Sequence, residues 1–392
     1  MKYFLAVFTL LMNLQALAQY PVLSENSEVS IVTVGPGKYL YDCFGHNAIR
    51  IKDASLGIDR AYNYGTYDSF DEGFYLRFTM GTTDYKLAVG DFDRFQLNYQ
   101  RQNRWPKEQV LNLTLEEKQQ VFEFVENNAR PENASYRYDP FFDNCATKLR
   151  DVPKDVLGDK LTFYADHLES ESTLRQLKDA QAYNHPWVNL GIDIALGNLL
   201  DRKASVEQHM YLPDYVFEGY ANATIMRNGE ELPAVKETKE LITTNYWERP
   251  LSKTEPWFLF SFIAIIVMGL TYWDYKKGSR TRVIDFVIYF ITGLVGCLIM
   301  FLWFISSHAT AINNLNALWA FFPNVVVAFF MLKKEPPIWL RVYARLLVIL
   351  LLLMAIAWVT QFQSFSLAMI PLMIMLGFRY TYLWQKALIK AP

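Results

Sequence analysis

Two kinds of hydrophobic patterning divide this chain. Up to about residue 255 the apolar residues come in short runs, whereas from Pro256 onward they come in segments approaching the roughly 20 residues needed to cross a bilayer. In the first part, VSIVTVG is short and rich in β-branched residues, and GHNAIRIK alternates as a strand does, with the turn GPGK between them. RAYNYGTYDSF and DYKLAVGDF continue as short aromatic segments punctuated by Gly and Asp, which predicts further strands of an antiparallel sheet. The period then changes. LTLEEKQQVFEFVENN, Leu113 to Asn128, spaces Val121, Phe122 and Val125 for a helix, and Thr114 with Glu117 forms the T-x-x-E pattern of a capping box. Strands followed by helices predict an α+β domain. Residues 152–244 mix helical pieces such as NLGIDIALGNLL with loops and one strand pair around RNGEEL. A helical cap packed on the sheet is expected there, with a substrate groove around His185-Pro186-Trp187 and Met210 to Asp214 as the alternative.

The long apolar segments predict a C-terminal all-α transmembrane bundle of about five helices over residues 256–392. The spans fall near Trp257 to Trp273, Val283 to Ile305, Leu315 to Leu332, Leu346 to Gln361 and Phe365 to Trp384. Loop charge orients them. KKGSR with Arg282, LKKEPPIWLRVYAR and QKALIK carry Lys and Arg, whereas SSHATAINN and TQFQS carry none. By the positive-inside rule the basic loops are cytoplasmic, so residues 19–255 form an exported domain. The N-terminus gives the same answer independently. MKYFLAVFTLLMNLQALA has one Lys, an apolar run and Ala16-Leu17-Ala18, so residues 1–18 are expected to be a cleaved signal peptide, with an uncleaved anchor as the alternative. No Cys stands at the cleavage point, so the mature chain is not expected to be a lipoprotein itself.

Composition narrows the partners. The formal net charge is -2, with no long Lys/Arg cluster and no Gly-rich phosphate loop, so nucleic acid and nucleotides are not expected to bind. The three cysteines matter more. Cys145 lies in FFDNCATKLRD, Phe141 to Asp151, and reads as a buried small hydrophobe, half of a disulfide, or a nucleophile. Exported cysteines usually pair, which predicts a Cys43 to Cys145 disulfide with Cys297 alone in a span. The nucleophile reading rests on a helix that begins after Pro140 and the Asp143-Asn144 caps, because a helix N-terminus stabilises a thiolate and lowers its pKa. Among five histidines, His46 alone follows a Gly at the mouth of a strand with apolar neighbours, the setting of a general base. A strand-borne His facing a helix-borne Cys is the arrangement of papain-like thiol enzymes, and His46 preceding Cys145 matches the circularly permuted branch of that fold. His46 would then take the thiol proton, and the thiolate would attack an ester or amide carbonyl to form a thioester. A backbone N–H near Cys145, helped by Tyr41 or Asn144, would hold the oxyanion, and Asn63 or Tyr64 would fix the imidazole. The chemistry needs no metal or other cofactor.

GPGKYLYDCFGHNAIRI, AYNYGTYDSF and YDPFFDNCATKLRD, in that order, resemble the signature of the Lnb family, the lipoprotein N-acyltransferases of Bacteroidota. That family also joins an exported thiol domain to C-terminal membrane helices, so the resemblance spans nearly the whole chain. It implies a permuted papain-like or NlpC-like domain over residues 19–255, with its catalytic core at about 27–151, Cys145 as nucleophile and His46 as its partner. The implied reaction moves a fatty acyl chain from a membrane phospholipid to the α-amine of a diacylglyceryl-cysteine lipoprotein, at a bacterial inner membrane, with the catalytic domain in the periplasm. His308, Asn313, Asn314, Asn316 and Trp319 fall at the outer end of the second and third spans and are candidates for a lipid-headgroup or acceptor contact, an ordinary interfacial loop being the alternative. Two other function classes compete: a papain-like peptidase or amidase acting on cell-wall stem peptides, and a non-enzymatic membrane binding module with Cys43 and Cys145 bridged.

Overall fold

The computed structural model describes residues 20–39, 42–168, 170–242 and 255–387. The expected signal peptide and Tyr41 lie outside these. The strand-like runs fold as β1 (Glu28–Val34), β2 (His46–Asp53), β3 (Ile58–Thr66) and β4 (Asp84–Asp91), followed by β5 (Pro106–Leu111) and β6 (Ser135–Arg137). Further on come β7 (Leu161–Thr162), β8 (Thr224–Arg227), β9 (Glu230–Pro233) and β10 (Val235–Glu240). The main sheet has the order β10-β5-β1-β2-β3-β4-β6 with every pairing antiparallel, as the alternating patterns predict.

Four helices dress this sheet: α1 (Phe74–Met80), α2 (Phe92–Arg101), α3 (Leu115–Asn128) and α4 (Cys145–Leu157). One face, with Ile31, Ile49, Ile51 and Tyr62, packs on Val121, Phe122 and Val125 of α3 and on Ala146 and Leu149 of α4. On the other face Val32 and Ala61 meet Phe92 of α2. Covered on both sides, β1 is buried from Val29 to Val34, and each such Val or Ile contributes about 1.5–3 kcal/mol. The capping box starts α3 as expected: Glu117 N–H donates to Thr114 Oγ1 at 3.3 Å and Thr114 N–H to Glu117 Oε2 at 3.0 Å.

The sheet does not end with the segment read as the core. Its last strand, β10, returns from residue 235 to pair with β5, which would otherwise present an open edge. The boundary near residue 151 therefore cuts through a single sheet. The strand pair around RNGEEL is the hairpin β8–β9, whose Asn228 and Gly229 both have positive φ, the two-residue turn that matches strand twist.

Between β7 and β8 lie α5 (Leu174–Gln181), α6 (Pro186–Ala195) and α7 (Pro213–Ala221). Met210, Tyr211 and Leu212 are buried, as a packed cap requires. One contact shows how the cap supports α4. Pro153 inside α4 has no N–H, so the carbonyl of Leu149 loses its helical donor, and the buried Tyr220 hydroxyl of α7 donates to it at 2.8 Å instead.

The C-terminal part contains α8 (Pro256–Lys277), α9 (Arg282–Phe304), α10 (Asn324–Met331), α11 (Trp339–Val359) and α12 (Ile370–Tyr382). α8, α9, α11 and the stretch Leu367–Lys386 are long and apolar enough to cross a membrane. The expected span Leu315 to Leu332 is not one helix. It runs as a 3-10 turn, Leu315–Leu318, a bend at Pro323, and α10, which at about 1.5 Å per residue covers only a fraction of a bilayer. Gly293 and Gly296 of α9 allow this irregular backbone to lie against them: a Cβ on Gly293 would stand 2.1 Å from the nitrogen of Val325, and one on Gly296 2.1 Å from the oxygen of Ala320. The fourth span begins earlier than expected, at Trp339, and takes in Arg341 and Arg345, which meet Trp384 through a hydrogen bond to its carbonyl at 2.9 Å and a cation–π contact at 5.5 Å.

Candidate active site

Three backbone features bring the site together at one end of the sheet. Gly45, at φ +83°, turns the chain into β2 so that His46 is its first residue, opposite Val34; a Cβ at position 45 would stand 2.9 Å from the carbonyl oxygen of Val34. In β3 the register with β4 shifts between Asn63 and Thr66, a bulge of the kind that re-aims side chains beside sites. Gly65, inside that bulge at φ +82°, admits α4: a Cβ there would lie 3.4 Å from the Cβ of Cys145.

Cys145 is the first residue of α4. Asn144 caps the helix, its Oδ1 accepting from the N–H groups of Ala146 and Thr147 at 2.8 and 2.9 Å, while Thr147 Oγ1 accepts from Asn144 N–H at 2.8 Å. Its amide nitrogen donates to the carbonyls of Pro140 and Tyr211, at 2.8 and 2.9 Å. Both amide hydrogens are therefore committed, so the expectation that Asn144 helps hold an oxyanion is replaced by a capping role. Such a cap contributes about 1 kcal/mol and fixes where the helix starts.

Cys145 is half-buried as a residue, and its sulfur lies against backbone N–H groups, among them that of Asn47, the residue after His46. Burial pushes the thiol up to about 11, and the N–H groups of Asn47, Ala146 and Cys145 pull it down by less. This corrects the expectation of a thiol lowered by the helix N-terminus: desolvation outweighs the dipole, and the resting group is a thiol.

His46 hydrogen-bonds through Nε2 to Oδ1 of Asn63 at 2.5 Å. Its ring stacks on Tyr99 of α2 with centroids 6.2 Å apart, and the guanidinium of the buried Arg104 sits over the other ring of that pair, Tyr99, at 4.9 Å. Burial lowers His46 to about 4, the Asn63 bond opposing and the Arg104 charge adding to the shift, so the imidazole is neutral at neutral pH. The site thus joins a Cys from the helix on one face of the sheet, a His from the sheet, and an aromatic from the helix on the other face.

Of the two residues expected to fix the imidazole, Asn63 contacts it and Tyr64 does not. Tyr64 is buried in the main core, its hydroxyl accepts from Asn128 at 3.0 Å, and burial raises it to about 12. Tyr41 falls outside the described residues. The expected disulfide is absent: Cys43, Cys145 and Cys297 are all thiols. Cys43 is buried, and burial with the nearby Asp42 charge pushes it up to about 12. Sequence reasoning misses Asn47, Tyr99 and Arg104. Asn47 acts through its backbone, which leaves no signature, and the other two enter from a segment distant in sequence.

Asn314, Asn316 and Trp319 are buried, which corrects their assignment to a lipid or acceptor surface. Asn314 Nδ2 donates to the carbonyl of Ile194 at 2.7 Å, Asn316 Nδ2 to that of Asp193 at 2.9 Å, and Trp319 Nε1 to Asn316 Oδ1 at 2.8 Å. They clamp α6 of the N-terminal part onto the helical bundle, where Leu190 is buried in the bundle's core and Trp187 meets Phe260 edge-on. Asp193 in turn holds the buried Arg175 and Lys178, at 3.0 and 2.5 Å, and Arg175 pairs with Asp201. His308, by contrast, is half-buried and lines a cleft with Phe78, Thr83, Tyr85, Tyr138 and Pro140. Tyr138 is the wall between that cleft and the thiol, its ring lying 3.5 Å from where a Gly65 Cβ would stand, beside Cys145. Among the described residues no group of three His, Cys, Asp or Glu is arranged to hold a metal ion.

A mixed sheet-and-helix domain bearing this thiol and imidazole, clamped to a helical bundle with four membrane-length helices, defines a membrane protein with an extramembrane candidate enzyme site. Comparison with family models gives it a family. Residues 19–180 match the Lnb N-terminal periplasmic domain, and residues 248–389 match the Lnb transmembrane domain. The chain belongs to the Lnb family and is a membrane protein with a periplasmic domain. No match is found among curated proteins or among solved structures.

Proposed function

We propose that the protein is a lipoprotein N-acyltransferase of a bacterial inner membrane. One observation supports this most: Cys145 and the His46–Asn63 pair lie at the end of the sheet where its last strand, β10, also ends, in a protein of the Lnb family. Asn63 presents its oxygen to Nε2, so that nitrogen carries the hydrogen and Nδ1 keeps a lone pair. Nδ1 takes the Cys145 proton as the sulfur attacks an ester carbonyl of a phospholipid. The N–H groups of Asn47 and Cys145 hold the oxyanion, a contribution of about 3–4 kcal/mol where one such donor has been removed in other enzymes. Collapse breaks the ester C–O bond, the imidazolium returns its proton to the departing lysophospholipid oxygen, and the acyl group stays on sulfur as a thioester. The α-amine of a diacylglyceryl-cysteine then attacks the thioester carbonyl; the imidazole accepts the amine's proton and passes it to the leaving thiolate, which restores Cys145.

The test is to incubate the full-length protein, in vesicles, with phospholipid and a diacylated lipopeptide. A mass gain of one acyl chain on the peptide amine is expected. Release of free fatty acid with the peptide amine unmodified, or cleavage of the peptide, would make the protein a hydrolase instead.

A further inference from the structure

Between β3 and β4 the chain leaves the sheet in a loop that carries α1, and this loop is apolar on the outside. Phe70 is 96% exposed, Tyr75 73% and Leu76 67%, with Phe78 also exposed. A contiguous apolar patch of this kind on a folded domain marks a contact surface. Its place in the molecule is fixed by two hydrogen bonds to the end of α9: Ser307 N–H donates to the carbonyl of Met80 at 2.8 Å, and His308 Nε2 donates to the carbonyl of Phe78 at 2.9 Å. Gly81, at φ +67°, makes the approach possible, since a Cβ there would stand 3.0 Å from the His308 nitrogen. Phe304 and Ile305, which end α9 just before this junction, are exposed as residues facing lipid are. The patch therefore continues the apolar surface of a membrane span directly onto the periplasmic domain.

We propose that Phe70 to Phe78 is a lip seated in the outer leaflet of the membrane that the protein's own helices cross, with lipid acyl chains as the occupant of its exposed face. Interfacial elements of this kind bury their apolar face about 5–10 Å into the headgroup and acyl boundary. The local charges fit that depth. Asp71 pairs with Arg77, and Asp68 and Glu72 are exposed beside Phe70, where they reach headgroup and water. Behind the lip, Phe78, His308 and Tyr138 line a cleft, and Tyr138 stands between that cleft and Cys145. A seated lip opens that cleft to lipid rather than to water. This last consequence rests on the acyl-transfer reading; the seating of the lip does not.

The test uses the full chain with Cys43→Ala, Cys145→Ser and Cys297→Ala, carrying one nitroxide on a cysteine introduced at Leu76 and, separately, at Tyr75 or Leu56. Leu56 is the control, exposed in the β2–β3 turn at the opposite end of β3. In vesicles of phosphatidylethanolamine and phosphatidylglycerol, the labels at Leu76 and Tyr75 should collide with oxygen severalfold more, relative to a water-soluble nickel complex, than the label at Leu56. Equal access of nickel to all three sites overturns the proposal. Shielding of Leu76 and Tyr75 from both reagents also overturns it, because a second copy or a protein partner would then cover the face. Since Cys145 is absent, the result does not depend on whether the protein transfers acyl groups.

Discussion

Nε2 of His46 and Oδ1 of Asn63 stand 2.5 Å apart. This bond fixes the tautomer of the imidazole and the direction of its other nitrogen, so losing it affects the chemistry while leaving the sheet intact. Asn63→Ala should lower kcat by about tenfold or more with little change in KM, since a general base contributes about 10²–10⁴-fold when correctly held. Steady-state kinetics on wild type and variant check this; unchanged kcat would remove Asn63 from the site.

Cys145→Ser and His46→Ala should each abolish acyl transfer while the protein still inserts and folds. Intact-protein mass spectrometry of wild type mixed with phospholipid alone should catch an acyl group on Cys145, absent from Cys145→Ser. Turnover by either variant would take that residue out of the mechanism.

The pH profile follows from the two shifts. A general base must be unprotonated, and burial lowers His46 to about 4, so activity is present above that value and lost as pH falls through it. The thiol, raised to about 11, adds no alkaline limb near neutrality. Single-turnover release of lysophospholipid, which avoids titration of the acceptor amine, should therefore be flat between about pH 5 and pH 9. A limb centred near pH 6.5 would show that His46 titrates as an ordinary exposed histidine.

All three cysteines should titrate as thiols in the protein denatured without reductant, and a reductant should leave its activity and mobility unchanged. Fewer than three thiols in a protein handled anaerobically would indicate a bridge that the geometry does not contain.

Asp193 holds two buried cations and lends its carbonyl to Asn316. Asp193→Ala removes the carboxylate that Arg175 and Lys178 share but leaves Asp201 to the one and Asp179 to the other, so it should cost about 1.5–3 kcal/mol. Thermal unfolding in detergent reads this as a clear fall in Tm; a fall no greater than that of an exposed control such as Asp159→Ala would show that the shared carboxylate does not hold the cap together.

What the sequence carries well is whatever repeats locally. Alternation marks β2, the T-x-x-E pattern marks the start of α3, and Asn144 before Cys145 marks the start of α4. His46 and Cys145 stand out because each lies at the end of such an element, and Asn63 is readable as a neighbour in the next strand. Other features depend on contacts between distant segments. Asn314 and Asn316 read as polar loop residues by composition, yet their amides are used on carbonyls more than a hundred positions away. The thiol's pKa likewise depends on how much protein surrounds it, which the helix-start pattern does not encode. The third span is mostly apolar, and Pro323 with Asn324 is the interruption its sequence does show; that the chain turns there instead of continuing as one helix depends on its contact with α9.

That bend has a bearing on biogenesis. Asn324, at the head of α10, donates to Thr292 of α9 at 3.0 Å and accepts from the Tyr343 hydroxyl of α11 at 2.5 Å, so its amide is satisfied only once helices on both sides have arrived. During synthesis the chain between Leu315 and Met331 leaves the ribosome after one partner and before the other. The polar head of this irregular third segment is therefore fully paired only after Tyr343 has been made, so its packing is completed by the helix that follows it as well as by the one before.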